Sequence, residues 1–252
     1  MSAKSFTLEA KEKVAPGLID GSLSILEKAL MRGKGIVAYS GGKDAIVVAL
    51  LAQKLGVIDG VCELSFCFTQ QETDIKKQAI SLGFNVQYRK KFDLRWLARH
   101  PQFVFNNDTK QINAFCQIRQ RDSCEKYALQ NGYKVVITGR KNQGNSIKDT
   151  IYERRNGTVG AHPLREWTDG DIWAYLRDKG IPRPWIYGTP FGLAEGNSFW
   201  PICRQYPDRD QNYTVIYGIE PNIVLQAARF GIIGAAEFLA NNGIYHGGTK
   251  SA

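Results

Sequence analysis

Residues 35–56 read GIVAYSGGKDAIVVALLAQKLG. An apolar run from Ile36 to Tyr39 has the length and character of a buried strand. The apolar-rich stretch Ala45 to Leu55 predicts a helix, and only Ser40-Gly41-Gly42-Lys43-Asp44 separates the two. A buried strand that feeds a helix through five residues is half of a βαβ unit, which commits the chain to a parallel sheet with helices on its faces. Glycines alone would serve a tight turn. A lysine and an aspartate at the same place call for a chemical reason.

The rest of the sequence repeats the alternation. Leu18 to Met31 predicts an amphipathic helix, and 61–68 (VCELSFCF) a second apolar strand. Residues 72–83 predict a helix stopped by Gly83, 85–90 a strand, 92–100 a short helix, 113–130 a longer helix and 134–139 another buried strand. After Arg140 the texture changes. KNQGNSIKDTIYERRNG is polar, and predicts a long loop with a hairpin. TDGDIWAYLRDKG, 168–180, predicts a helix capped by Thr168, with Asp169 and Asp171 in its first turn and Gly180 at its stop. Two further helices close the chain. The expected architecture is α/β: a doubly wound, Rossmann-like parallel sheet in a nucleotide-binding domain spanning 1–204, with a helical extension over 205–252 packed on the same domain.

In such sheets ligands bind beyond the carboxyl ends of the strands, where the strand order reverses. Ser40 to Asp44 lies at such an end. Glycines let main-chain amides approach an anion without a Cβ in the way, and the following helix N-terminus favours negative charge. Ser40, Gly41, Gly42 and Lys43 are therefore candidate anion-binding residues. The pattern is neither the Walker A loop, which needs Gly-x4-Gly-Lys-Ser/Thr, nor the dinucleotide Gly-x-Gly-x-x-Gly. Gly139, Arg140 and Lys141 follow another strand end and form a second candidate group. A net charge of +9 suits nucleotide phosphate, sulfate or nucleic acid as partner, and leaves DNA or RNA binding open. No apolar run reaches the roughly 18 residues of a membrane span, and the first residues lack a secretory apolar region, so a cytoplasmic protein is expected.

The Ser-Gly-Gly-x-Asp run resembles the pyrophosphate loop of the PP-loop (adenine nucleotide alpha hydrolase) superfamily, with Ala45 where those families usually carry Ser. HPLREWTDGDIWAYL, 162–176, resembles the phosphoadenosine phosphosulfate reductase family within it. CQIRQ, 116–120, ITGRKNQGNS, 137–146, IPRPWIYG, 181–188, and SFWPICR, 198–204, resemble further stretches of that family in the same order. Glu72-Thr73 is similar to its Glu-Thr, while the Asp-Thr-Gly that usually precedes it is missing. The resemblance implies an enzyme that binds an adenine nucleotide. Its basic Thr-Gly-x-Arg segment implies that Arg140 and Lys141 face the nucleotide's anionic end.

Cysteine usage divides the chemistries that this family would allow. The five cysteines, at 62, 67, 116, 124 and 203, contain no Cys-x-x-Cys, and none follows Cys203. Only Cys116 and Cys203 fall where an iron–sulfur branch carries its ligands, and four thiolates are the usual requirement, so no cluster is expected. The leading expectation is ATP chemistry of the transferase or ATP-pyrophosphatase type. Lys43, Asp44 and Arg140 would be the catalytic residues, with Mg²⁺ on the phosphates near Asp44, and the adenylated substrate would pass to an amine or sulfur acceptor. The alternatives are reduction of adenylyl sulfate or its 3′-phosphate by Cys203 or Cys116, a nucleic-acid-modifying or sulfur-transfer role, and a decayed nucleotide-binding module. The terminal helices offer a surface for a homodimer.

Overall fold

The computed structural model describes residues 11–142, 148–192, 200–201 and 206–244. Six strands form one sheet: β1 (Gly35–Ala38), β2 (Asp59–Glu63), β3 (Asn85–Arg89), β4 (Val135–Ile137), β5 (Ile151–Glu153) and β6 (Val159–Ala161). Their order is β3-β2-β1-β4-β6-β5, parallel throughout except for the antiparallel β5–β6 hairpin at the edge. The chain steps from β1 outward to β2 and β3, then returns to place β4 on the other side of β1. The strand order therefore reverses between β1 and β4, and the crevice beyond their carboxyl ends is the expected ligand position.

The helix after the glycine turn, α2 (Lys43–Gln53), follows α1 (Leu18–Leu30) in the chain. Ile46, Val47, Val48, Ala49, Leu51 and Ala52 are all buried, so α2 is apolar all round, as a helix enclosed in the core must be. Each large aliphatic side chain enclosed there contributes about 1.5–3 kcal/mol relative to exposure. This burial fixes the start of α2, and hence the glycine turn, against the sheet.

The second strand is shorter than its apolar run predicts. It ends at Glu63 because the buried Glu63 carboxylate accepts from Ser65 N at 3.0 Å and from Ser123 Oγ at 3.0 Å, and Phe66 takes a left-handed conformation (φ 65°). Leu64 to Phe68 instead form the turn into α3 (Thr69–Ser81). The expected helix over 113–130 begins earlier. Asp108 caps α5 (Thr109–Cys116) by accepting from Lys110 N at 2.8 Å. A π-helical turn, Gln117–Arg121, then leads into α6 (Asp122–Gln130). That widened turn sends Arg119 inward, where it is 3% exposed, and leaves Arg121 outward. Between β3 and α5 lies α4 (Leu94–Ala98), capped by Asp93.

Helix α7 (Asp169–Asp178) has the predicted Thr168 cap. Asp171 does more than complement the helix dipole. It is buried, and it accepts from Lys11 Nζ at 2.9 Å and Ala15 N at 3.1 Å, tying the segment before α1 to α7. The last helices, α8 (Arg209–Ile219), α9 (Pro221–Arg229) and α10 (Ala235–Asn241), pack back on the sheet domain. Tyr213 meets Phe105 edge-on at 5.1 Å, Arg95 lies over Phe230 at 5.2 Å, and Glu220 accepts from Thr69 N at 2.7 Å. Among the described residues no helix is long and apolar enough to cross a membrane.

Candidate functional site

A cavity of about 460 Å³ opens at the β1–β4 crevice. Ser40, Asp44 and Ala45 line it from the glycine turn, and Thr138, Gly139, Arg140 and Lys141 from the end of β4. The π-helical turn and α6 close the opposite side with Arg119, Arg121 and Cys124, and Arg154 reaches in from the end of β5.

Two glycines make the close approaches that hold the crevice. Gly41 has φ 68°, and a Cβ there would lie 2.4 Å from Ile75 Cγ1. A Cβ on Gly139 would lie 2.7 Å from the carbonyl carbon and oxygen of Asp44, so the end of β4 touches the main chain of α2 directly. Two of the turn's amides already have partners. Gly42 N donates to Ser40 Oγ at 3.4 Å and Lys43 N to the Tyr187 hydroxyl at 3.2 Å.

Lys43 differs most from its expected role. Its side chain is fully buried and does not line the cavity. Its ammonium pairs with Asp44 Oδ2 at 2.9 Å and Asp169 Oδ1 at 2.6 Å. Lys141 pairs with Asp44 Oδ1 at 2.7 Å and also with Asp169. Two lysines and two aspartates thus form a neutral quartet that joins α2, the β4 loop and α7. Burial pulls the Lys43 pKa down against the pull of Asp44. Burial also works against the Lys141 charge, but Asp44 and Asp169 outweigh it and hold that pKa above its ordinary value. Burial would raise Asp169; its bonds from Lys141 and Lys43 outweigh that and keep it ionised. Both Asp44 oxygens accept from lysine, so its charge is already neutralised and the arrangement does not fit a Mg²⁺ ligand. Among the described residues no group of three or more His, Cys, Asp or Glu is placed to hold a metal.

A cluster of arginines lies at the other end of the cavity. Arg140 is exposed, and its pKa is lowered by partial burial, then by Arg121 and Arg154. Arg154 shares Glu125 at 3.1 Å and lies over Tyr152, but its Nη1 is buried with no partner. Arg119, by contrast, holds the β2–α3 turn, donating to Ser65 O at 3.0 Å. The sequence singles out Arg140; Arg154, in the polar stretch that follows, carries no local pattern that separates anion binding from a solvated surface role. The sequence gives no signal for Arg121, for Tyr187, or for Asp169 as an ion partner, since these residues meet the site only through chain folding.

Four cysteines lie among the described residues, none of them in a disulfide. Cys67, Cys116 and Cys124 line the cavity. Burial raises the pKa of Cys62, of Cys67 (against Arg119) and of Cys124, the last to about 12, so these three are thiols at neutral pH. Cys116 is half-buried. Cys203 lies outside the described residues.

The phosphoadenosine phosphosulfate reductase domain model matches residues 34–192, the whole sheet and the crevice. The chain belongs to the phosphoadenosine phosphosulfate reductase domain family. Phosphoadenosine 5′-phosphosulfate reductase of Xanthomonas campestris pv. campestris (strain B100) is 22% identical over 226 residues, covering 87% of this chain and 88% of that one. Adenosine 5′-phosphosulfate reductase of Burkholderia cepacia is 22% identical over 178 residues, 68% of this chain and 62% of that one. The structure of phosphoadenylyl-sulfate reductase from Candida auris, a phosphate complex, superposes with a TM-score of 0.52 at 14% identity, covering 75% of this chain and 97% of that one. The family assignment and the doubly wound sheet agree with the sequence expectation. The relatives carry reductase names, whereas the sequence places ATP chemistry first.

Proposed function

We propose that this chain binds an adenylyl sulfate, with or without a 3′-phosphate, in the β1–β4 crevice and reduces its sulfate with electrons from thiols. One observation carries the reading: the glycine-loop lysine is neutralised inside a buried quartet, whereas three arginines, Arg121, Arg140 and Arg154, gather at the far end of the same cavity, and among the described residues only Arg154 of the three has a carboxylate partner, Glu125. A triphosphate resting on the glycine turn would find no available ammonium there. A single anionic end directed at the arginines would find N–H donors, including the unpartnered Nη1 of Arg154.

The chemistry balances without a metal ion. A cysteine thiolate attacks the sulfur, the bond from sulfur to the bridging phosphate oxygen breaks, and the adenosine phosphate leaves with that electron pair. The cysteine is left as an S-sulfonate. A second thiol, from an external dithiol reductant, then displaces sulfite and forms a disulfide, which the reductant's other thiol resolves. Cys116, half-buried on the cavity wall, and Cys203 are the candidate nucleophiles.

Sulfite release is measured with adenosine 5′-phosphosulfate and its 3′-phosphate, each with a dithiol reductant, beside pyrophosphate release from ATP. Sulfite formation that disappears in Cys116→Ser or Cys203→Ser supports the proposal and names the nucleophile. Pyrophosphate release from ATP with an added acceptor, at full rate in both cysteine variants, overturns it.

A further inference from the structure

Parallel pairing of β4 with β6 matches Ile137 with Ala161, so the next residues, Thr138 and His162, stand side by side at the carboxyl end of the sheet. Thr138 N donates to Ala161 O at 3.0 Å, and Thr138 Oγ1 lies 2.6 Å from His162 Nδ1. Thr138 lines the cavity beside Arg140, while His162 sits behind it, 2% exposed. His162 N donates to Thr150 O at 2.8 Å, and the Tyr152 ring packs against the imidazole at 5.2 Å. The charged groups acting on His162 are Arg140, Arg154 and Arg121, all cationic. They and its burial keep the imidazole neutral, so it carries a single N–H.

The 2.6 Å bond can therefore run in only one of two directions. If Nδ1 accepts, the threonine proton is spent on the histidine, and the hydroxyl turns a lone pair toward the cavity. If Nδ1–H donates, the hydroxyl accepts from the histidine and its own proton is free to point into the cavity. The arginine end of the cavity supplies mainly donors, since its carboxylate, Glu125, is already engaged by Arg154 and Asn156. A sulfate or phosphate end supplies acceptors only, and a threonine lone pair facing it would repel it. The second arrangement is the one compatible with an anion at this end.

We propose that Thr138 is an anion-binding hydroxyl of this cavity, and that His162 is a positioning residue that donates Nδ1–H to Thr138 Oγ1 and so aims the threonine proton at the bound sulfate or phosphate. The inference rests on the sulfonucleotide reading above and adds to it a neutral donor that neither the charge pattern nor the glycine motif reveals. His162 makes no contact with the anion. It acts through Thr138 alone, so the two residues work as one unit.

Binding of adenosine 5′-phosphosulfate is measured calorimetrically in the full chain carrying Thr138→Val, Thr138→Ser, His162→Ala, His162→Asn, the Thr138→Val/His162→Ala pair, or Arg140→Ala. Loss of a hydrogen bond to a charged ligand predicts affinity about tenfold weaker, or more, in Thr138→Val, while Thr138→Ser stays within about threefold. His162→Ala is expected to match Thr138→Val, and the pair to be no weaker than either, because both remove the same bond. His162→Asn, whose amide can donate from near the Nδ1 position, keeps most of the affinity. Thr138→Val is nearly isosteric and tests the inference even where His162→Ala does not fold. In the unsubstituted protein, ¹⁵N NMR of His162 should show a protonated Nδ1. Weakened binding in Arg140→Ala with Thr138→Val within twofold of the unsubstituted chain overturns the hydroxyl assignment and leaves the sulfonucleotide reading standing. Additive losses in the pair overturn the positioning role. Unchanged affinity in Arg140→Ala overturns the reading of the site and this inference with it.

Discussion

The lysine–aspartate quartet yields a prediction opposite to the one its motif invites. A lysine in a glycine-rich turn suggests a phosphate ligand, whose loss would abolish binding and spare stability. Here Lys43 is fully enclosed and held by Asp44 at 2.9 Å and Asp169 at 2.6 Å. Lys43→Met removes the buried charge but keeps the volume. Lys141 still reaches both carboxylates, and these are 24% and 26% exposed, so the unpaired charge left behind keeps water and the change should cost no more than about 1 kcal/mol. Asp169→Asn is the harsher change, because it leaves two ammonium groups sharing Asp44, one of them with no access to water. Breaking a buried pair costs about 3–5 kcal/mol. Asp169 is 26% exposed and Asp44 remains as a partner, so about 2–3 kcal/mol is expected here. The pair Lys43→Met/Asp169→Asn leaves Lys141 with Asp44 and should recover to within about 1.5 kcal/mol of the unsubstituted chain, since the two sites are coupled. Urea unfolding at pH 7, read by circular dichroism, gives all three values, and calorimetry gives nucleotide affinity. The reasoning is refuted if Lys43→Met is folded and as stable as the unsubstituted chain but has lost nucleotide binding, or if it is less stable than Asp169→Asn.

Three other perturbations test separate parts of the structure. Gly139→Ala places a Cβ 2.7 Å from the Asp44 carbonyl group and must push β4 from α2; a loss of about 1–3 kcal/mol and weaker nucleotide binding are expected by the same methods. His162 is pushed down to about 4 by burial, then by Arg140, Arg154 and Arg121. The unfolded chain, with its histidine near 6.5, therefore binds the extra proton first as pH falls. Stability contributed by the neutral imidazole is present above about pH 6.5 and lost on the way down to about 4. Between pH 7 and pH 5 the loss should be about 2 kcal/mol, and it should be absent in His162→Asn. A pH profile equally steep in that variant would assign the effect elsewhere. Asp171 is held down to about 2 because its bonds from Thr168 and Lys11 outweigh burial. Asp171→Ala together with Arg177→Ala, which removes the bonds to Lys11 O and Glu12 O, should free residues 11–15 from α7, costing about 1–2 kcal/mol and opening Lys11 and Lys13 to trypsin; an unchanged digestion pattern would show that the tether is not needed.

Local chemistry wrote much of the fold into the sequence. The apolar run before Ser40, the glycine turn and the apolar helix after it specify a strand–turn–helix unit whatever surrounds them, because the spacing of apolar residues and glycine's conformational freedom act over a few residues. Thr168 and Gly180 likewise bound α7 by capping alone. The second strand was overread because an apolar run does not reveal that Glu63 will be buried and fold the chain back onto Ser65. The π-helical turn at Gln117–Arg121 has no periodic signature either, yet it decides that Arg119 braces a turn while Arg121 reaches the cavity.

The glycine turn and the family follow from the sequence alone, because each depends on residues close together in the chain. The fate of each charge does not. Asp169 lies 126 positions from Lys43, and the reversal of strand order between β1 and β4 is what brings α7 onto α2. That closure buries the motif's lysine against two carboxylates and leaves the arginines facing the cavity, because a cation in a closed interior is stable only beside counter-charge, whereas one at a cavity wall keeps contact with water until an anion arrives.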